Sequence, residues 1–168
     1  MKKLNFKKGL ALKVSKGFTL IELLVVIAII GVLASIIIVT LNNGQTRGKN
    51  AGVKSNLANA RTQAQVFYNT NSVANLTFTN VCNNGPVGTP PVQGIGSAVL
   101  AAAKITGLTA VGSDTGGSTS TATCNDSAGA WAAEAPLVGG GMWCVDSTNK
   151  SVETSGTSLS SGTDYTCN

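Results

Sequence analysis

Phe18–Leu41 is a run of 24 residues in which only Thr19, Glu22, Gly31, Ser35 and Thr40 are not apolar, and only Glu22 is charged. The pattern predicts a helix that is apolar on every side. At about 1.5 Å per residue it reaches roughly 36 Å, enough to cross a hydrocarbon core of about 30 Å. A secretory signal sequence fits poorly, because its apolar region is about 7–15 residues long and closes on a small-x-small site. A simple uncleaved anchor is the other plain reading. Beyond Leu41 the pattern becomes amphipathic. Val53, Leu57, Ala60, Ala64 and Phe67 recur at spacings of four, three, four and three, which is one helix face. Arg47, Lys49, Lys54 and Arg61 lie on or near the polar side. Asn42-Asn43-Gly44 is a candidate break, and Gly48 and Gly52 weaken their turns by about 1 kcal/mol each relative to Ala. Gly48-x-x-x-Gly52 lies outside the apolar run and reads as local flexibility. Asn69-Thr70-Asn71 is the predicted stop.

From Ser72 onward Gly, Ser, Thr and Asn dominate. Ile95–Leu108 predicts a short helix built on Val99, Leu100 and Ala103. Residues 112–123 read as an exposed loop. Ala130–Val138 and Met142–Ser147 predict two strands joined at Gly139-Gly140-Gly141, and Lys150–Thr154 predicts a third after a turn at Asp146–Asn149. The apolar face of the long helix needs a cover, which only this half of the chain supplies. Trp131 and Trp143 are its largest apolar side chains, and at least one is expected over Leu57, Ala64 or Phe67.

Charge changes the picture at the N-terminus. The chain carries twelve Lys and Arg against seven Asp and Glu, a net charge of +5. Six of the cations are Lys2, Lys3, Lys7, Lys8, Lys13 and Lys16, with no acid among them. Past Gly17 six basic residues face seven acids, so the side chains there sum to −1. The basic balance belongs to the first residues alone, and a nucleic-acid reading from bulk charge fails. The clustered cations instead mark the end that stays in the cytoplasm. There is no His. That removes Ser-His-Asp and Cys-His catalysis and most metal sites. Gly94-x-Gly96 lacks the third glycine of a dinucleotide fingerprint. Asp146 reads as a turn cap rather than a calcium ligand. No catalytic residue, cofactor or metal is expected. Asn75, Asn125 and Asn149 match an Asn-glycosylation pattern that is common by chance.

Lys16-Gly17-Phe18-Thr19-Leu20-Ile21-Glu22 joins the cationic end to the apolar run. An ionised residue near the middle of a membrane costs about 2.5–3.5 kcal/mol, so Glu22 is a functional candidate by default. This junction resembles the type IV pilin and pseudopilin family, whose prepilin peptidase cuts after the Gly of a G-F-T-L-x-E motif, and the likeness runs through residues 17–41. The resemblance implies cleavage between Gly17 and Phe18, N-methylation of Phe18, and a role in assembly for Glu22 and Gly31. Cleavage would free an α-amino group on Phe18, with a reference pKa near 7.7–8.0. It lies four residues from Glu22, so the two share one helix face and a bond within the chain is possible. In the family the acid pairs with the N-terminus of a neighbouring subunit. Family pilins also carry a Pro about eight residues after the mid-span Gly, where this chain has Val39.

The implied fold is α+β: one long N-terminal helix, its apolar half membrane-spanning and its second half amphipathic, packed on a small antiparallel sheet with a disulfide-bounded C-terminal region. The implied domains are a leader over 1–17, an assembly helix over 18–41, its continuation over 42–69, a loop-rich connection over 70–128, and the sheet with the C-terminal region over 129–168. The implied function is that of a structural subunit, not an enzyme, that polymerises into a surface pilus. Its partners would be copies of itself, the prepilin peptidase and methyltransferase, an assembly platform with its ATPase, and inner-membrane lipid. It would sit in the cytoplasmic membrane before assembly and outside the cell afterwards. A pseudopilin of a type II secretion system is the alternative within the family. A membrane-anchored binding protein, gripping DNA or a glycan, is the alternative of another class. Fibres in electron micrographs would separate the first reading from both.

Cys82, Cys124, Cys144 and Cys167 all follow the apolar run. An even number outside the membrane predicts disulfides, and spacing leaves three pairings open. We favour Cys82 with Cys124 and Cys144 with Cys167. A terminal disulfide-bounded loop resembles the C-terminal region of family pilins. No Cys-x-x-Cys pair is present, so zinc is not indicated.

Overall fold

The computed structural model describes residues 17–70, 76–88 and 91–168. The cationic residues 1–16, Asn71 of the predicted helix stop, the Asn75 glycosylation pattern and the side chain of Val39 lie outside the described residues. The chain divides into two units, Met1–Leu41 and Asn42–Asn168. Helix α1, Leu20–Thr70, contributes to both.

In the first unit every described side chain from Phe18 to Leu41 is exposed. In the second, α1 runs unbroken through Asn42-Asn43-Gly44, Gly48 and Gly52. Packing of the apolar face outweighs their weak propensity, as it does for most helices in proteins. Val53, Leu57, Ala60, Ala64 and Phe67 have no exposed surface. They share one core with Ile95, with Val99, Ala102 and Ala103 of helix α2, Gly96–Ile105, and with Trp131, Ala133, Ala135 and Val145. Trp131 is the buried tryptophan over the helix face, while Trp143 is partly buried at its margin. Gly52 is a packing position rather than a flexible one. A Cβ there would stand 2.9 Å from Ile105 Cδ1.

Strands β1, Pro86–Val87, and β2, Val92–Gln93, form a small antiparallel pair. The main sheet has the order β3-β4-β5-β6-β7, with β3 at Val111–Ser113, β4 at Ala122–Asp126, β5 at Trp131–Pro136, β6 at Met142–Asp146 and β7 at Ser151–Thr154. Pairing from β4 to β7 is antiparallel, but β3 runs parallel to β4. The exposed loop expected over 112–123 is therefore corrected: it ends in two strands, and the sheet is mixed at that edge. No period-two signal marks β4, because both its faces are buried, Ala122 and Cys124 on one and the polar Thr123 and Asn125 on the other.

The strands alternate. Trp131, Ala133 and Ala135 face α1, while Ala132 and Glu134 face the other side with Cys144. That second side is covered by the C-terminal tail, residues 155–168, which has neither helix nor strand. The tail buries Ser158, Leu159 and Cys167. The β5–β6 connection takes three successive positive φ angles, 95°, 110° and 82° at Gly139, Gly140 and Gly141, which side chains rarely adopt. Asn50 of α1 anchors this turn twice, accepting from Val138 N at 2.8 Å and donating to Val138 O at 3.1 Å.

Candidate functional site

The junction residues build a helix start. Thr19 precedes the first helical residue, and its side chain accepts from Glu22 N at 3.3 Å. The Glu22 carboxylate reaches back, accepting from Thr19 N at 2.9 Å and Thr19 Oγ1 at 2.8 Å. This reciprocal Thr-x-x-Glu pair satisfies donors that a helix end leaves unpaired. The sequence carried that signature, and the reading of Glu22 as a charge seeking an α-amino partner passed over it. The placement of Phe18 is also corrected. Phe18 lies before Leu20, so it does not share a helix turn with Glu22. The Phe18 side chain is 84% exposed, and nothing lies within 4 Å of a Cβ built on Gly17. Gly17 and Phe18 thus stand as open backbone just before the helix start.

Downstream, α1 presents a continuous apolar surface. Leu20, Ile21, Leu23, Leu24, Val25, Val26 and Ile27 are 48–86% exposed, and the pattern continues to Leu41. Ser35 and Thr40 do not interrupt it, because their hydroxyls donate to backbone carbonyls one turn back. Nothing lies within 4 Å of a Cβ built on Gly31, so its close-approach surface is free. This helix is long and apolar enough to cross a membrane.

The second unit holds the cysteines. Cys82 is bonded to Cys124, and Cys144 to Cys167. Its polar chemistry is structural. Glu134 is fully buried and accepts from Thr157 Oγ1, Ser158 N at 2.8 Å and Leu159 N at 3.4 Å. It thus fastens the tail to the sheet, and a Cβ at Gly117 would collide with its carboxylate. Asn125 adds donations to Ser161 O and Asp164 O. Sequence reasoning did not single out Glu134, and it marked Asn125 only as a glycosylation pattern rather than as a buried residue. Asp146 caps the β6–β7 turn through Thr148 and Lys150. Burial alone would raise its carboxyl, but hydrogen bonds from Cys167, Thr148 and Lys150 outweigh that and hold it below the usual range. Burial pushes the Asp126 carboxyl up, aided by the charge of Asp114 and opposed by bonds from Asn80 and Cys82. Lys54 bonds Glu153 at 2.7 Å and lies 4.4 Å from the Trp143 ring centroid, an exposed contact of small value. Among the described residues no group of three or more His, Cys, Asp or Glu could hold a metal ion.

Residues 12–38 match the model of the prokaryotic N-terminal methylation motif. A type IV major pilin protein, PilA of Myxococcus xanthus (strain DK1622), is 44% identical over 54 residues, covering 32% of this chain and 24% of that protein. The match thus spans about a quarter of the relative's length. No solved structure matches the chain significantly. The motif and the matched segment make this chain similar to type IV pilins, within an α+β architecture.

Proposed function

We propose that this chain is a structural subunit that loses its leader between Gly17 and Phe18 and polymerises through its N-terminal helix into a surface pilus. One observation carries the reading: the Leu20–Leu41 part of α1 offers an exposed apolar surface whose single charge, Glu22, lies in the first turn. Water does not tolerate such a surface, at about 25 cal/mol per Å² of apolar area. A bilayer does, and so does a bundle of like helices. Lipid tails are as apolar as these side chains, so moving from lipid to fibre gains little from the apolar face itself. Glu22 tips the balance. In the membrane it is held only by the Thr19 cap; in a fibre it would also meet the α-amino group of Phe18 on a neighbouring copy. Removing one partner of a pair in a dry interior is strongly unfavourable.

Glu22→Ala is therefore expected to be exported and cleaved but to yield few or no fibres. Normal fibre numbers in micrographs of that mutant would end this role for Glu22. Gly17→Val is expected to keep the leader, because the protease must admit bare backbone at that point. Intact mass reads the result directly: the wild type should begin at Phe18 with one added methyl, and a mature-length mutant would contradict the reading. The peptidase, the methyltransferase and the assembly ATPase with its platform are the partners this route requires. Val39, in the place where family pilins carry Pro, favours a second reading as a type II secretion pseudopilin. Long fibres built of this chain on overexpressing cells support the pilus reading, and their absence the pseudopilin.

A further inference from the structure

The two disulfides share a local device. Each joins a strand cysteine to a cysteine from an irregular segment, and each strand cysteine is followed two residues later by an aspartate: Cys124-Asn125-Asp126 on β4 and Cys144-Val145-Asp146 on β6. Residues i and i+2 of a strand face the same side, roughly 7 Å apart. Each aspartate therefore stands beside its cysteine, one pleat further on. Each accepts the backbone N–H of the cysteine that bonds its neighbour. Asp126 Oδ1 accepts from Cys82 N at 3.4 Å, with Asp126 Oδ2 taking Asn80 N. Asp146 Oδ2 accepts from Cys167 N at 3.0 Å.

We propose that Asp126 and Asp146 are positioning residues for oxidative folding, each clamping the incoming cysteine beside the correct strand thiol. The sheet itself removes one of the three pairings. Cys124 pairs in register with Ala133 and Cys144 with Glu134, adjacent positions on opposite faces, so the two strand cysteines cannot meet. Two pairings remain, and the sheet alone does not choose between them. The clamps do: the carboxylate on the α1 side holds Cys82, and the one on the tail side holds Cys167. These bonds need no sulfur–sulfur link, so each forms locally as the incoming cysteine meets its strand, ahead of the sulfur–sulfur bond. Bonds to a carboxylate are roughly twice as strong as neutral ones. Closure then converts two thiols to one disulfide. Two electrons and two protons pass to a disulfide oxidant, which leaves as two thiols.

The test refolds the reduced full chain in detergent micelles with mixtures of oxidised and reduced glutathione, and maps each bridge by mass spectrometry. Asp146→Ala is expected to lower the equilibrium constant for Cys144–Cys167 about tenfold or more while leaving Cys82–Cys124 within about twofold, since each 1.4 kcal/mol is a factor of ten. Asp126→Ala should do the reverse. Asn at either site keeps one carbonyl acceptor and should fall between Ala and wild type, which gives a reading if the Ala forms do not fold. Asp164→Ala is the control, because that carboxylate bonds Ser160 and Thr166 of the same tail but no cysteine. The proposal is overturned if both bridges weaken together in either variant, if the control matches Asp146→Ala, or if constants and pairings stay at wild-type values.

Discussion

Reduction of both disulfides is expected to abolish cooperative folding of the unit Asn42–Asn168 at about 37 °C. The bridges close separations of 42 and 23 residues. In the chain-entropy model each contributes about 3–4 kcal/mol. Against a typical total of about 5–15 kcal/mol, their joint loss is decisive. The core explains why so little remains. Ala60, Ala64, Ala102, Ala103, Ala122, Ala133 and Ala135 fill much of it, and alanine buries little apolar area. The tail has no ladder hydrogen bonds of its own to hold it down. Thermal melts with and without reductant, followed through near-ultraviolet circular dichroism of buried Trp131, measure the effect. An unchanged melting temperature would show that the alanine-rich core stands without its bridges.

Phe67→Ala carries the second largest effect, about 3–5 kcal/mol of stability lost. Phe67 has no exposed surface and is the largest side chain that α1 puts into the core. Its neighbour Val66 is 46% exposed, and Val66→Ala should stay within about 0.5 kcal/mol. The pair separates packing from propensity, because both substitutions put a better helix former at nearly the same point of α1. The last turn is also pinned from outside, where Tyr68 stacks on Phe78 with ring centroids 4.5 Å apart. Denaturant midpoints for the two variants give the comparison. Equal midpoints would mean that the four-three spacing does not mark the buried face.

The long helix was legible because its two halves carry two different patterns that suit two surroundings. The apolar run needs lipid or like helices, and Val53, Leu57, Ala60, Ala64 and Phe67 need a sheet. The signal for the helix start was also on the page, as Thr19-x-x-Glu22, although the charge drew attention away from the cap. The β3–β4 edge was hidden for a physical reason. Strand patterns are read from apolar alternation, and β4 buries Thr123 and Asn125. Asn125 is tolerated there only because Thr115 N, Ser161 O and Asp164 O meet its amide. Those partners lie 10 to 39 residues away in sequence, beyond the reach of any local pattern.

By itself the order of residues determined the membrane-length apolar rod, the acid one turn inside it, the open glycine before it, and the helix face that demands a cover. These are local or periodic properties, written in neighbouring side chains. The tertiary structure decided what no spacing could: that Cys124 and Cys144 face opposite sides of one sheet, that Glu134 is buried on the tail side against Thr157, Ser158 and Leu159, and that a polar tail serves as the second layer. Each of these depends on which distant backbone groups arrive as hydrogen-bond donors. That arrival is a consequence of the closed fold and of no stretch of chain alone.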